Sequence, residues 1–551
     1  MSTATAVSAL AAVSINRDDT QSVPTDPQLA EIAGRANLIN LIRSGVHLLD
    51  KNQNPDGGFG DTDRSPSNIA TSYLVRAAWE LATKADNTLC CAERDTRVRA
   101  LDQYLDDCGR LDALRQRYGT DKTFVVPIMT NLAIAGLVSW DDVPALPFEA
   151  AAFPQAMYRF LQMPVVSYAV PALVAIGQTR HHHGRAAPAP LRWFRGAVYR
   201  RTTNVLRRMQ PQSGGYLEAT PLTSFVLMSL AVTNRTDHPV ALDAIRFLHH
   251  SIRDDGCWPI DTNLATWATS LAIGALDASE PNIDDECNPL TIADADEHPH
   301  DRDAAASSDT HQWCGPSLFA WHGQCQHTRR HPFTGAEPGG WGWTDLTGAV
   351  PDGDDTPAAI LATIAMLRRG GGLNPTESRA AAAVRQVALE RITRGLAWLR
   401  RLQNRDGGWP TFCRGWGKLP FDRSSTDLTA HALRAIGAAR NLHQQLVRQN
   451  LDNQDAARRM HAEIRRCAKN ERRGLRYLHK TQRQDGSWLP LWFGNHDEPD
   501  DENPFYGTGR ILLAAELGIA PAAIQRAVSY LLSRQNPDGG WGGGPSRTRW
   551  L

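Results

Sequence analysis

The chain has 551 residues, too many for one ordinary core, so two large domains are expected. Lys plus Arg equals Asp plus Glu at 59 each and no basic stripe stands out, which argues against a nucleic acid or other polyanion as partner. Nine Cys, an odd number without regular spacing, argue against a secreted disulfide framework, and neither CxxC nor HExxH is present.

Residues 1–30 are rich in Ser, Thr and Ala and carry no basic stretch followed by an apolar core. They read as a mobile tail, not a signal peptide. No run approaches eighteen uncharged apolar residues, so no spanning helix is expected. A phrase then recurs: a helical stretch, a Gln, a few polar residues, Gly-Gly or Asp-Gly, and an aromatic. It runs Gln53 to Phe59, Gln210 to Tyr216, Gln403 to Trp409, Gln482 to Trp488 and Gln535 to Trp541, with a copy lacking the Gln from Asp254 to Trp258. Recurrence in fixed order marks a repeat architecture, and Asp-Gly-Gly supplies the positive-φ residues that stop a helix.

Between the phrases, Thr223–Ala231, Pro357–Leu367 and Asp427–Ile436 place apolar residues at helical spacing, and no alternating strands compete. The fold class is therefore all-α, two α/α barrels of helix pairs. The N-terminal barrel is expected over 31–250 and the C-terminal one over 251–551. Arg180–Pro190 and Asp284–His311 read as loops. His181–His183 lies in the first of these, where a solvated tract is the ordinary reading and metal binding the rarer one.

Pro351-Asp352-Gly353-Asp354-Asp355-Thr356 follows an aromatic Gly-Gly-Trp-Gly-Trp run, Gly339 to Trp343. Three carboxylates in four positions cannot all ionise cheaply, so at least one is pushed toward its protonated form. A protonated carboxyl beside indole faces suits proton delivery to an apolar substrate. The plainer reading is that these Asp residues cap the helix beginning near Thr356-Pro357.

The turn repeats in both halves, with Asp-x-Asp-Asp-Thr after the aromatic segment, resemble the squalene-hopene cyclase family of class II terpene cyclases over nearly the whole chain. The resemblance implies that Asp354 is the general acid, that Asp352 and Asp355 set its proton affinity, and that His431 of Asp427-Leu-Thr-Ala-His431 hydrogen-bonds it. It also implies that Trp343, Trp492, Trp267, Phe412 and Tyr506 line the substrate cavity, although Ala268 stands where an Asp usually follows the Trp. Trp409, Trp488 and Trp541 are expected to be structural. A protonated His431, kept charged by the outer carboxylates, would make Asp354 a strong acid.

The implied reaction is protonation of a terminal alkene of a linear polyprenoid, squalene first, with ring closure to hopene- or hopanol-type products and no cofactor or metal. The resemblance further implies a peripheral, cytoplasmic-side position on the cytoplasmic membrane, and a homodimer is allowed. Asp61, Asp63 and Glu218 are candidates for holding a terminating water. The chain stops soon after Trp541, where family members continue, so the C-terminal barrel is expected to be shortened. Competing readings are a cyclase of a prenyl diphosphate or prenylated aromatic, a zinc prenyltransferase subunit (whose Asp/Cys/His set is not found), and a non-catalytic lipid-binding barrel.

Overall fold

The computed structural model describes residues 1–17, 26–119, 122–154, 157, 170–185, 187–279, 313–331, 335–370, 373, 379–412, 422–452, 454–495 and 498–542. Among the described residues there are nineteen α-helices and no strand beyond two single bridges. The first unit holds α1 (Ser2–Asn16), α2 (Pro27–Ile32), α3 (Arg35–Lys51), α4 (Ile69–Ala85), α5 (Ala92–Asp107), α6 (Arg110–Tyr118), α7 (Lys122–Ala135), α8 (Val170–His183), α9 (Ala189–Met209), α10 (Thr220–Ala231) and α11 (Pro239–Ser251). The second holds α12 (Ala265–Ser279), α13 (Pro316–Gln324), α14 (Asp355–Arg369), α15 (Arg379–Leu402), α16 (Thr426–Arg448), α17 (Asp455–Thr481), α18 (Pro504–Leu512) and α19 (Pro521–Ser533). Each unit has its own apolar core.

The recurring phrase is the joint that builds both units. The Gln403 side-chain amide donates to Gly407 O at 2.7 Å, within its own turn, and to Asn470 O at 2.8 Å on α17. Gln53, Gln210 and Gln482 each make the same two bonds, to their own turn and to the next outer helix. Ten residues back from each ring a helical carbonyl accepts its polar edge: Trp409 Nε1 to Leu399 O at 2.9 Å, Trp488 Nε1 to Leu478 O at 2.7 Å, and Tyr216 OH to Leu206 O at 2.9 Å. Gly407 is required by its φ of +103° and because a Cβ there would lie 2.5 Å from Arg473 O. A further copy, Gln326 with Trp341, has the same bonds across a longer insertion and escaped the sequence pattern.

Three expectations are corrected. Residues 1–30 are not a tail throughout: α1 is buried from Ser2 to Ser14 and packs against α3, α4 and α10. A helix apolar on every side belongs inside a protein, and its small side chains let neighbours close in. Gly45 of α3 has no room for a Cβ, which would meet Val7 at 2.5 Å and Trp258 at 2.9 Å. Some of its hydroxyls are satisfied inside, since Thr5 Oγ1 donates to Ser2 O at 2.7 Å and Thr3 Oγ1 accepts from Trp258 N at 3.1 Å, while the buried Ser14 Oγ has no partner among the described residues. Residues 18–25 lie outside the described residues.

The division near 250 also moves. Trp258 is 1% exposed within the first core and its indole holds Leu248 O, so the first unit runs through the Trp258 turn. Finally, Arg180 to His183 is not loop but the last turn of α8, where Trp140 stacks on His183 with ring centres 4.9 Å apart. The expected loop 284–311 and the C-terminal stretch after Gly542 lie outside the described residues.

In the second unit α12, α14, α16 and α18 stand side by side as an inner row, with α15, α17 and α19 packed outside them. This row brings the start of α14 against the second turn of α16, which holds His431, and against α18, which holds Arg510.

Candidate active site

The Asp-rich segment is held from two sides by structural turns. Trp341 N donates to Thr356 Oγ1 at 3.0 Å, and Asp352 N donates to Trp341 O at 3.0 Å. On the other side Gly353 N donates to Thr411 O at 2.6 Å, and a Cβ on Gly353 would collide with the Pro410 carbonyl. The glycine inside Asp-x-Asp therefore marks a close approach between segments.

The three carboxylates differ in what they bond. Asp352 Oδ1 accepts from the backbone N–H of Asp354 at 2.8 Å and of Asp355 at 2.7 Å, which caps α14. Asp354 is the N-cap residue by position, yet its side chain makes no cap bond. Its carboxylate turns instead to α16, where His431 Nδ1 lies 2.9 Å from Asp354 Oδ1. Asp352, Asp355 and His431 are at most 5% exposed, whereas 23% of the Asp354 side chain is open. The acidic group that could reach a ligand is thus Asp354.

Electrostatics separates the three further. Burial pushes Asp352 up to about 7. Asp355 is raised well above the carboxylate range, by burial and then by the charge of Asp352, and its Oδ1 is buried without a hydrogen-bond partner. Burial acts on Asp354 in the same direction but is outweighed. The hydrogen bond and charge of His431, the Arg510 guanidinium at 3.8 Å and a side-chain hydrogen bond from Trp267 hold it below its ordinary value. His431 is also lowered, by burial first, with Arg510 and Arg434 outweighing part of the pull of Asp354. Burial thus drives Asp352 and Asp355 toward the neutral form, which works against their keeping His431 charged.

Arg510 is the residue the sequence reading missed. It stands in the second turn of α18, Nη2 3.3 Å from His431 Nδ1 and its guanidinium carbon 5.9 Å from the centre of the Tyr506 ring. Only the positive charge within a short helix signalled it.

Of the five aromatic candidates, Trp267 and Tyr506 act on the acid directly, the other three link to Trp267 or to the Thr411 segment, and none is fully buried. Trp267 reaches Asp354 with its side chain and donates its backbone N–H to Trp343 O at 3.1 Å. The Trp343 and Phe412 rings lie 5.9 Å apart, and Phe412 packs against the first core. Trp492 Nε1 donates to Thr411 Oγ1 at 2.7 Å, beside Phe412. Tyr506 leans on Phe493 at 4.9 Å, next to Arg510. By contrast Trp409 and Trp488 are 0% exposed.

The terminator candidates do not join this group. Asp61 is bonded to Asn68 and Thr71 within a turn of the first unit, and Asp63 is exposed there. Glu218, wholly buried, ties the units together by accepting Ser213 Oγ and Gly348 N at 2.9 Å each. Among the described residues no three His, Cys, Asp or Glu side chains gather to hold a metal ion.

Comparison with known proteins finds the squalene-hopene cyclase C-terminal domain matching residues 266–547. Similar curated proteins include a squalene–hopene cyclase of Bradyrhizobium diazoefficiens, 28% identical over 37% of this chain and 27% of that protein. Another, from Alicyclobacillus acidocaldarius, is 25% identical over 62% of this chain and 45% of its own length. A terpene cyclase–glycosyl transferase fusion protein of Humicola fuscoatra is 29% identical over 37% of this chain and 14% of its own. The match thus spans less than half the length of these relatives. Among solved structures, ent-copalyl diphosphate synthase from Streptomyces platensis aligns over 100% of this chain and 85% of that one, with a TM-score of 0.41 and 18% identity.

Proposed function

The chain belongs to the squalene-hopene cyclase family, and on that premise we propose that it is a class II terpene cyclase that closes rings on a linear polyprenoid of the squalene type. The observation that carries the reading is the one partly open carboxyl of the cluster, Asp354, bonded to the buried His431 with Arg510 beside it and aromatic rings around it.

An alkene is a very weak base, so its protonation needs an acid whose conjugate base is unusually well stabilised. His431, Arg510 and Trp267 stabilise the Asp354 carboxylate. In the initiating step the Asp354 O–H bond breaks and a C–H bond forms from the terminal π bond. The adjacent carbon is left cationic and Asp354 anionic. Successive π bonds then attack the cation and close rings. Loss of a proton or capture of water ends the sequence, and solvent returns a proton to Asp354.

Aromatic faces stabilise the travelling charge without trapping it, by about 1–2 kcal/mol for each well-placed ring. Trp267, Trp343, Phe412, Trp492 and Tyr506 supply those faces, and positioning of the folded chain supplies the remainder. Asp352 and Asp355, pushed toward neutrality, leave few stray anions to quench the cation.

We further propose that the protein works on the cytoplasmic membrane surface, where such substrates reside. Ile260, Leu264, Leu271 and Leu276, each 40–47% exposed near Trp267, suit contact with lipid. No described helix is long and apolar enough to cross a membrane.

Incubating purified protein with squalene and with shorter polyprenyl substrates, followed by mass spectrometry, tests the reading. Polycyclic product is expected, and Asp354→Asn should reduce turnover by about 10²–10⁴-fold with melting unchanged. Undiminished turnover in that variant removes Asp354 from its role. A requirement for Mg²⁺, abolished by EDTA, would move the substrate to a prenyl diphosphate.

A further inference from the structure

One guanidinium and one imidazole share the Asp354 carboxylate. His431 Nδ1 lies 2.9 Å from Asp354 Oδ1, so one proton sits between them. The same nitrogen lies 3.3 Å from Arg510 Nη2, which can only donate. A ring nitrogen has either a proton or a lone pair. If Nδ1 carries the proton and the ring is an imidazolium, two positive groups face each other in a site where His431 is 5% exposed. If the ring is neutral with its proton on Nε2, Nδ1 accepts from Arg510 Nη2 and from the protonated Asp354 carboxyl, and Arg510, 3.8 Å from Asp354 Oδ1, remains as the fixed charge.

We propose that Arg510, rather than a protonated His431, supplies the permanent positive charge that makes Asp354 a strong acid, with His431 acting as a neutral hydrogen-bond partner. The proposal rests on the cyclase reading and adds to it a residue and a charge state. Arg510 is a positioning and tuning residue, since it acts through Asp354 and His431 and not on the reacting carbons.

The surroundings support this assignment from every side. α16 presents Asp427, His431 and Arg434; the segment entering α14 presents Asp352 and Asp355; α18 presents Tyr506 and Arg510. Of the acids, Asp352, Asp355 and Asp427 are all raised by burial, which weakens the negative charge they offer an imidazolium. Arg434 adds a second guanidinium near His431. Tyr506 offers Arg510 a ring face, which fixes its direction without neutralising it. The arrangement exchanges an imidazolium for a guanidinium as the cation beside the carboxylate.

Two measurements on full-length protein decide the matter, using wild type, Arg510→Gln and Arg510→Lys. The first is an NMR titration of the His431 imidazole in histidine-labelled protein, assigned with His431→Asn. Arg510→Gln should raise the pH at which His431 titrates by about one unit or more, and Arg510→Lys should restore most of the wild-type value. The second is the pH dependence of turnover. Because initiation needs Asp354 protonated, the high-pH limb should move upward in Arg510→Gln while the maximal rate falls about tenfold. An Arg510 that is only structural would lower melting and leave both pH profiles in place, and that result overturns the proposal. If the wild type turns over no polyprenoid, the functional reading fails while the His431 titration still judges Arg510.

Discussion

The two helical units share one joint and differ in what occupies their middle. In the first, α1 is enclosed on all sides, with Val7, Leu10 and Val13 among residues of 0% exposure. In the second, the inner row turns carboxylates, a histidine, an arginine and half-open aromatic rings toward one another. The Gln and Trp bonds of the turns are the same in both. The repeat is therefore a scaffold indifferent to chemistry, and the proposed site lies where the interior is left polar and partly open instead of being filled with small apolar residues. Buried charge is costly wherever it lacks partners, so only the unit that supplies His431 and Arg510 tolerates Asp354.

This contrast can be broken most severely in the first unit. Leu10→Asp would place an unpaired charge inside the enclosed helix and should destabilise the protein by about 4 kcal/mol or more, read by urea unfolding. Unchanged stability would mean that α1 does not fill the core. A milder comparison sets two indoles of one segment against each other. Trp488→Leu removes a fully buried ring bonded to Leu478 O and should cost about 3 kcal/mol of stability. Trp492→Leu, half-buried near the acid, should leave melting nearly unchanged and slow turnover about tenfold, the worth of one cation–π contact of 1–2 kcal/mol. Equal effects of the two on melting would erase the distinction between structural and lining rings.

The smallest effect concerns the pH dependence of stability. Asp352 is raised from 3.8 to about 7 in the fold. The native state therefore binds this proton more tightly than the unfolded chain, and its contribution to stability is present below about 4 and lost as pH rises toward about 7. Asn at 352 keeps the acceptor that caps α14 but does not ionise. Asp352→Asn should flatten the fall in melting temperature between these pH values and melt higher than wild type at pH 8. An unaltered slope would show that Asp352 stays ionised in the folded protein.

Much of the fold was legible because the joint is local. Gln403 bonds a carbonyl four residues on, and Trp409 one ten residues back, so the phrase carries its own geometry. The Gln326–Trp341 joint escaped because an insertion separates its Gln from its glycines. Asp354 and His431 were legible through a family phrase, and the structure places them 2.9 Å apart. The capping expected of the Asp cluster is made by Asp352 and not by Asp354.

What the chain's own order of residues determined is the repeat: where helices stop, which glycines bend, and which rings fold back, because those bonds close over a few residues. Tertiary structure alone decided that a Ser-, Thr- and Ala-rich beginning becomes the heart of one unit, since small side chains read as a tail until a surrounding core encloses them. It alone decided that Arg510 meets a histidine 79 positions away. Charge states at the acid follow from burial and from neighbours distant in sequence, and neither quantity exists before the helices pack.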